Sequence, residues 1–197
     1  MMINFSIGIF LATLIVSILS TRLLKLIFWY GVNSFFLGLL AIFIGFKQGD
    51  SVLIFSGVIT LIFKAFTIPY YLKKFAIKFN LKRDVESDVK VHFNVMLIPV
   101  LIVFSFYLVS PFAHTVGQNS NYVAISISSL FLSLLLLIEH ISVAPKIVGF
   151  LLMENSLFLL GITATGGMPM LIELGVFFDL MMAIVVINLL LKEERAI

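Results

Sequence analysis

Cysteine is absent from all 197 residues. That absence removes disulfides, thiolate-held iron–sulfur clusters and Cys-ligated zinc from the chain's own chemistry. Charge is scarce too, at 12% of residues. The histidines are limited to His92, His114 and His140, too scattered for a paired haem or metal site. Also missing are a nucleophile with a partner base, an HExxH zinc motif, phosphate-loop glycine spacing and a basic-aromatic track suited to nucleic acid. No internal repeat is evident. Redox chemistry, if the chain takes part in any, belongs to partners, and no cofactor or metal is expected here.

What the chain has instead is apolar sequence. It is 61% hydrophobic, with a mean hydropathy of +1.20. A soluble domain of this size could not hide that much apolar surface, because its exterior would still have to be largely polar. The expected fold is therefore an all-α polytopic integral membrane helix bundle, with lipid as its solvent. A span needs roughly 20 apolar residues to cross about 30 Å of hydrocarbon. Seven stretches qualify: about 3–21, 23–46, 52–72, 92–111, 122–140, 146–166 and 169–191. The first lacks a basic leader and a small-residue cleavage site, and is read as a retained helix. Arg22 and Lys25 mark a turn between the first two spans; one long apolar element broken there is the competing reading.

The only long polar segment is KKFAIKFNLKRDVESDVK, residues 73–90, a surface loop or in part an amphipathic helix at the headgroups. It divides three N-terminal spans (1–72) from four C-terminal ones (91–197). On alternate sides of seven spans, eleven basic residues fall together: Arg22, Lys25, six in the long loop, Lys146, Lys192 and Arg195. Lys47 falls alone opposite, and Lys64 lies within the third span. Positive loops stay in the cytoplasm, so the N-terminus is expected outside and the C-terminus cytoplasmic.

Charges inside spans need reasons, since each costs about 2.5–3.5 kcal/mol at a helix centre on insertion scales. Lys64 lies nine residues from Lys73, roughly 13 Å from the cytoplasmic end, and Glu154 lies eight beyond Lys146, about 12 Å in. Asp179, thirteen residues before Lys192, is expected roughly 19 Å from the inner face. Glu173 follows Pro169 near the outer end, and Glu139 and His140 close the fifth span at the inner boundary. Together these groups form a candidate ladder of proton-carrying stations. Glu154 and Asp179 are its principal members, because neither has a long stem with which to reach water.

Ser56, Gly57, Thr60, Lys64 and Thr67 recur at three- and four-residue spacing and give the third span one narrow polar face. The bland reading stands beside this one. Lys64 can snorkel or pair with an acid of another helix, and Glu139, His140 and Glu173 are close enough to boundaries to be interfacial. Ser126, Ser129 and Ser133, with His140 further along that face, read as packing or backbone-bonded residues. Gly31, Asn33, Ser34 and Gly38 read as a small-residue helix interface, and Pro69 and Pro99 as kinks.

Residues 145–190, PKIVGFLLMENSLFLLGITATGGMPMLIELGVFFDLMMAIVVINLL, resemble the C-terminal part of hydrogenase-4 component E. That family supplies a membrane-arm subunit to formate hydrogenlyase-like and related group 4 nickel–iron hydrogenase complexes. More broadly, the last three spans (122–191) are similar to the small three-helix subunit of respiratory complex I and to the C subunit of multisubunit cation/proton antiporters. In that comparison Glu154 matches the acid of the middle helix, and Asp179 stands where the last helix carries one, with Glu173 as the rival. Asp179 replaces the usual Glu, the outer turn is shorter, and the first four spans have no counterpart in the three-helix subunit.

The resemblance implies a non-catalytic subunit of a redox-driven, ion-pumping complex in the cytoplasmic membrane. Its implied partners are antiporter-like membrane subunits, a membrane anchor subunit and a peripheral hydrogenase or dehydrogenase module. That module would hold the nickel–iron and iron–sulfur centres. An autonomous small ion transporter or channel, and a structural scaffold subunit, are the alternatives.

Overall fold

A computed structural model of the chain describes the backbone of residues 2–78, 91–112 and 120–165 and, outside 91–93 and 165, their side chains. The described residues are helical, with no strand among them. Helix α1 spans Met2–Ile18 and α2 Leu23–Gln48. The third element begins as α3 (Ser51–Thr60), passes through a π-helical segment (Leu61–Thr67) and continues as α4 (Ile68–Lys78). Helix α5 is Val91–Val109, closed by a 3-10 turn at Ser110–Phe112; α6 is Ser120–Glu139 and α7 Val143–Thr165.

Five of these helical elements are long and apolar enough to cross a membrane, counting Ser51–Lys78 as one, while α1 is shorter at 17 residues. The expected seventh span, 169–191, lies outside the described residues. The first two spans are separate helices, because α1 ends at Ile18 and α2 starts at Leu23. The third runs further than expected, through residues 73–78 of the basic segment.

Local chemistry explains several boundaries. Gly49 ends α2 in the left-handed region, at φ 71°, where a side chain would be strained. Asp50 then caps α3, its carboxylate accepting from the backbone N–H of Val52 at 2.9 Å and of Leu53 at 3.3 Å. The π segment lies just ahead of Pro69, which has no N–H to donate and would crowd the carbonyl one turn back. A widened turn relieves that crowding, and the Thr67 hydroxyl donates to the Ile62 carbonyl at 2.9 Å within it. Pro69 thus acts through a change of helical register upstream of itself.

Helix α2 lies at the centre, packed against α1, α3 and α7; α6 packs on α7, and α5 lies outside α6. Buried fractions agree: 67% of the apolar window of α7 and 56% of that of α2 are buried, against 17% for Asn94–Phe112. The α2–α3 interface depends on missing side chains. A Cβ on Gly57 would come within 2.9 Å of the Gly38 carbonyl oxygen, and one on Gly38 within 2.7 Å of Leu61 Cγ. The outer surface is apolar, with Phe28, Phe46, Phe55, Phe66, Met96 and Tyr107 all exposed, as expected for side chains facing lipid or membrane partners.

The buried apolar residues fall into two main clusters stacked along the bundle. One gathers Ile18, Leu23, Leu26, Leu72, Ala76, Leu136 and Val148, at the end where α1 meets α2 and α6 meets α7. The other gathers Ile7, Phe10, Leu37, Leu40, Leu53, Phe158 and Ile162, toward the α2–α3 turn. Between them, α1 contributes Thr13, α2 Asn33 and Ser34, the third element Lys64, and α7 Glu154 and Asn155, all buried. A polar layer divides the core at mid-height.

Gly57→Ala should lower the thermal unfolding midpoint of the detergent-purified protein, because overpacking of a tight contact costs about 1–3 kcal/mol. Gly8→Ala, whose Cβ meets nothing within 4 Å, should leave the midpoint unchanged or slightly raised.

Candidate functional site

An ion pair sits at the centre of the polar layer. Lys64 Nζ lies 3.2 Å from Glu154 Oε1, and the two side chains are 3% and 4% exposed. The third element runs on to Lys78, so Lys64 is the fourteenth of 28 residues, and Glu154 is the twelfth of the 23 in α7. Lys64 is therefore about 21 Å from the Lys78 end by helical rise, deeper than a count from Lys73 implies. Both charges lie halfway along their helices. Neither snorkels: the ammonium is held inside by a carboxylate from another helix.

The pair's position follows from three local features. The π segment carries Lys64, and Pro69 accounts for the widened turn. Gly31 of α2 allows close approach, since a Cβ there would be 3.2 Å from both the Ala65 carbonyl oxygen and Pro69 Cγ. Gly149 lets α7 close on α6, where an added Cβ would be 3.1 Å from the Leu137 Cα.

Beside Glu154, Asn155 enters an amide lattice. Its Nδ2 donates to Asn33 Oδ1 at 3.1 Å and to Ser34 Oγ at 2.8 Å. Asn33 Nδ2 in turn donates to the Phe10 carbonyl at 3.0 Å and to Thr13 Oγ1 at 3.1 Å. Helices α7, α2 and α1 are joined across the layer by bonds whose donors are fully used. Buried amides whose N–H groups are bonded in this way fix the relative rotation of helices whose remaining contacts are non-directional; Asn155 Oδ1 has no hydrogen-bond partner among the described residues.

A second polar group lies where α6 ends. Glu139, its last residue, is 4% exposed and accepts from Asn94 Nδ2 of α5, which is 1% exposed. His140 follows, also buried, with Nδ1 2.7 Å from the Leu136 carbonyl; a carbonyl only accepts, so Nδ1 carries the proton. These two residues are interior groups at a helix end. They make no ion pair with each other.

Of the sequence-derived candidates, Lys64 and Glu154 meet, and Glu139 and His140 adjoin each other at a helix end. Asp179 and Glu173 lie outside the described residues. The polar face of the third span is buried at Ser56, Thr60 and Lys64. Ser128, Ser129 and Ser133 bond carbonyls of their own helix, whereas Ser126 also reaches Thr163 of α7, at 3.0 Å. Sequence reasoning passed over Asn94 and read Asn33 as part of a packing interface. The available signal was an amide with no short-range partner inside an apolar run, a feature Asn155 shares. Among the described residues, no group of three or more His, Cys, Asp or Glu could hold a metal ion.

Comparison with known proteins adds little. No protein-family model matches the chain, and no solved structure matches it. An uncharacterized protein of Mycobacterium tuberculosis, Rv0085, is 22% identical over 177 residues, covering 89% of this chain and 79% of that protein.

Proposed function

We propose that the chain is a non-catalytic membrane-arm subunit of a redox-driven, complex I-like ion-pumping complex of the hydrogenase-4 or formate hydrogenlyase type. Glu154 is its central buried proton station, with Asp179 as a second in the last span and Glu173 as that residue's rival. Lys64 acts as counter-charge to Glu154, and His140 and Glu139 as stations nearer the cytoplasmic boundary. The reading adopts a multi-pass orientation in the cytoplasmic membrane with the N-terminus outside.

The observation that carries it is the Lys64–Glu154 pair itself, 3.2 Å apart, almost fully buried and halfway along two helices. A carboxylate there is isolated from bulk water, and a movable ammonium beside it can raise or lower the cost of its charge. That coupling is what a proton station needs in order to load and unload. The partner set comes from the resemblance: antiporter-like subunits, a membrane anchor and a peripheral hydrogenase or dehydrogenase module holding the metal centres.

Glu154→Gln combined with Lys64→Met, so that no buried charge is left unpartnered, and separately Asp179→Asn, each built into the host complex and reconstituted in liposomes, should leave assembly and electron transfer largely intact while lowering the ions moved per electron. An unchanged ratio in both assembled variants removes the conduit reading.

A scaffold reading rests on the same ion pair, since a buried pair can lock helices together. Lys64→Glu alone should abolish assembly, because leaving a buried charge unpaired costs about 3–5 kcal/mol. Combining Lys64→Glu with Glu154→Lys should restore assembly, measured by co-purification, without restoring translocation. Recovery of both would make the pair structural.

A further inference from the structure

The two buried glutamates among the described residues are treated very differently by their surroundings. Glu154 has an ammonium at 3.2 Å. Glu139 is equally buried, yet its one hydrogen-bond partner among the described residues is the neutral amide of Asn94, and it forms no ion pair there. Two buried acceptor oxygens of this pair are left over, Glu139 Oε2 and Asn94 Oδ1, each without a hydrogen-bond partner among the described residues. The Asn94 amide spends its donor on the other carboxylate oxygen, so both orphans are oxygens, and they belong to two groups in direct contact.

The backbone adds to the electrostatic demand. Glu139 is the last residue of α6, where the partial negative charge of the helix gathers and the final carbonyls lack helical donors. One of those carbonyls, of Leu136, is taken by His140 Nδ1. Among the described residues, no cation faces this carboxylate at the helix C-terminus, out of water. A bridging water would satisfy the orphaned oxygens; a bound proton or a monovalent cation would also balance the charge of the ionised carboxylate.

We infer that Glu139 Oε2 and Asn94 Oδ1 are ligands of an alkali-metal ion bound between α5 and the C-terminal end of α6. Hard cations take carboxylate, amide and carbonyl oxygens, and one carboxylate matches a single positive charge. The ion does for Glu139 what Lys64 does for Glu154. Asn94 orients the carboxylate through one oxygen and completes the donor set with its own. The site goes beyond the proton-station reading of Glu154 and does not depend on it: it involves other helices, gives Glu139 a metal ion where that reading gives it a proton, and is read by binding without turnover.

The test uses the full chain purified in detergent, with choline chloride holding ionic strength while NaCl or KCl is titrated. Wild-type protein should broaden the sodium NMR signal, KCl should compete, and the thermal midpoint should rise in NaCl or KCl over choline chloride. Asn94→Leu and Glu139→Gln should each weaken sodium binding by roughly tenfold or more, the scale of losing a partner in a coordination shell. Wild-type protein with no sodium broadening and the same midpoint in all three salts overturns the site, whether or not the variants fold. A wild-type response that persists undiminished in either folded variant overturns it as well.

Discussion

The bundle is organised around one costly contact, the ion pair between Lys64 and Glu154. Two charges brought to mid-height in a stack of apolar helices lose most of their hydration, and only a close, fixed partner offsets that loss. The pair therefore constrains everything near it. It specifies how the third element and α7 are rotated, because a small turn of either helix would aim a charge at hydrocarbon. The amide lattice of Asn33 and Asn155 fixes α1 and α2 against α7 in the same layer. The apolar clusters above and below are tolerant by comparison, since leucines and isoleucines pack acceptably in several registers.

The two ends of the chain's charge economy differ in kind. At mid-height, charge is matched by charge from within the chain. At the end of α6, a glutamate and an asparagine share one hydrogen bond and leave two oxygens over. The first carboxylate faces an ammonium and the second a neutral amide, which is why one reads as a switchable internal pair and the other as a place for an external cation. The peripheral position of α5, most of whose surface is uncovered, keeps that second group near the rim of the bundle.

Much of this was legible in the sequence because a charge in an apolar span is costly enough to demand a reason. Lys64 and Glu154 stood out on that ground, and their similar distance from the basic boundary foreshadowed a meeting. The five described helices long enough to span followed from apolar run lengths, and the α1–α2 break from Arg22. Other features were illegible for physical reasons. Asparagine costs far less than a carboxylate in such a helix, so Asn33 and Asn94 looked like ordinary packing residues until their partners were seen. The π segment depends on Pro69 meeting a close neighbour at Gly31, and that is a tertiary circumstance. The extension of the third element through Lys78 competes with detachment of a basic amphipathic helix toward the headgroups, a choice the residue pattern leaves open. Asp179 and Glu173 retain only their sequence-based reading.

The most direct measurement is a solid-state NMR distance in lipid bilayers between the Lys64 side-chain nitrogen and the Glu154 carboxyl carbon, taken with both sites isotopically labelled. The account predicts strong dipolar coupling, as for an ion pair in contact, and no cross-peak from either side chain to lipid acyl protons. Absent coupling, or Glu154 in contact with acyl chains, would contradict it.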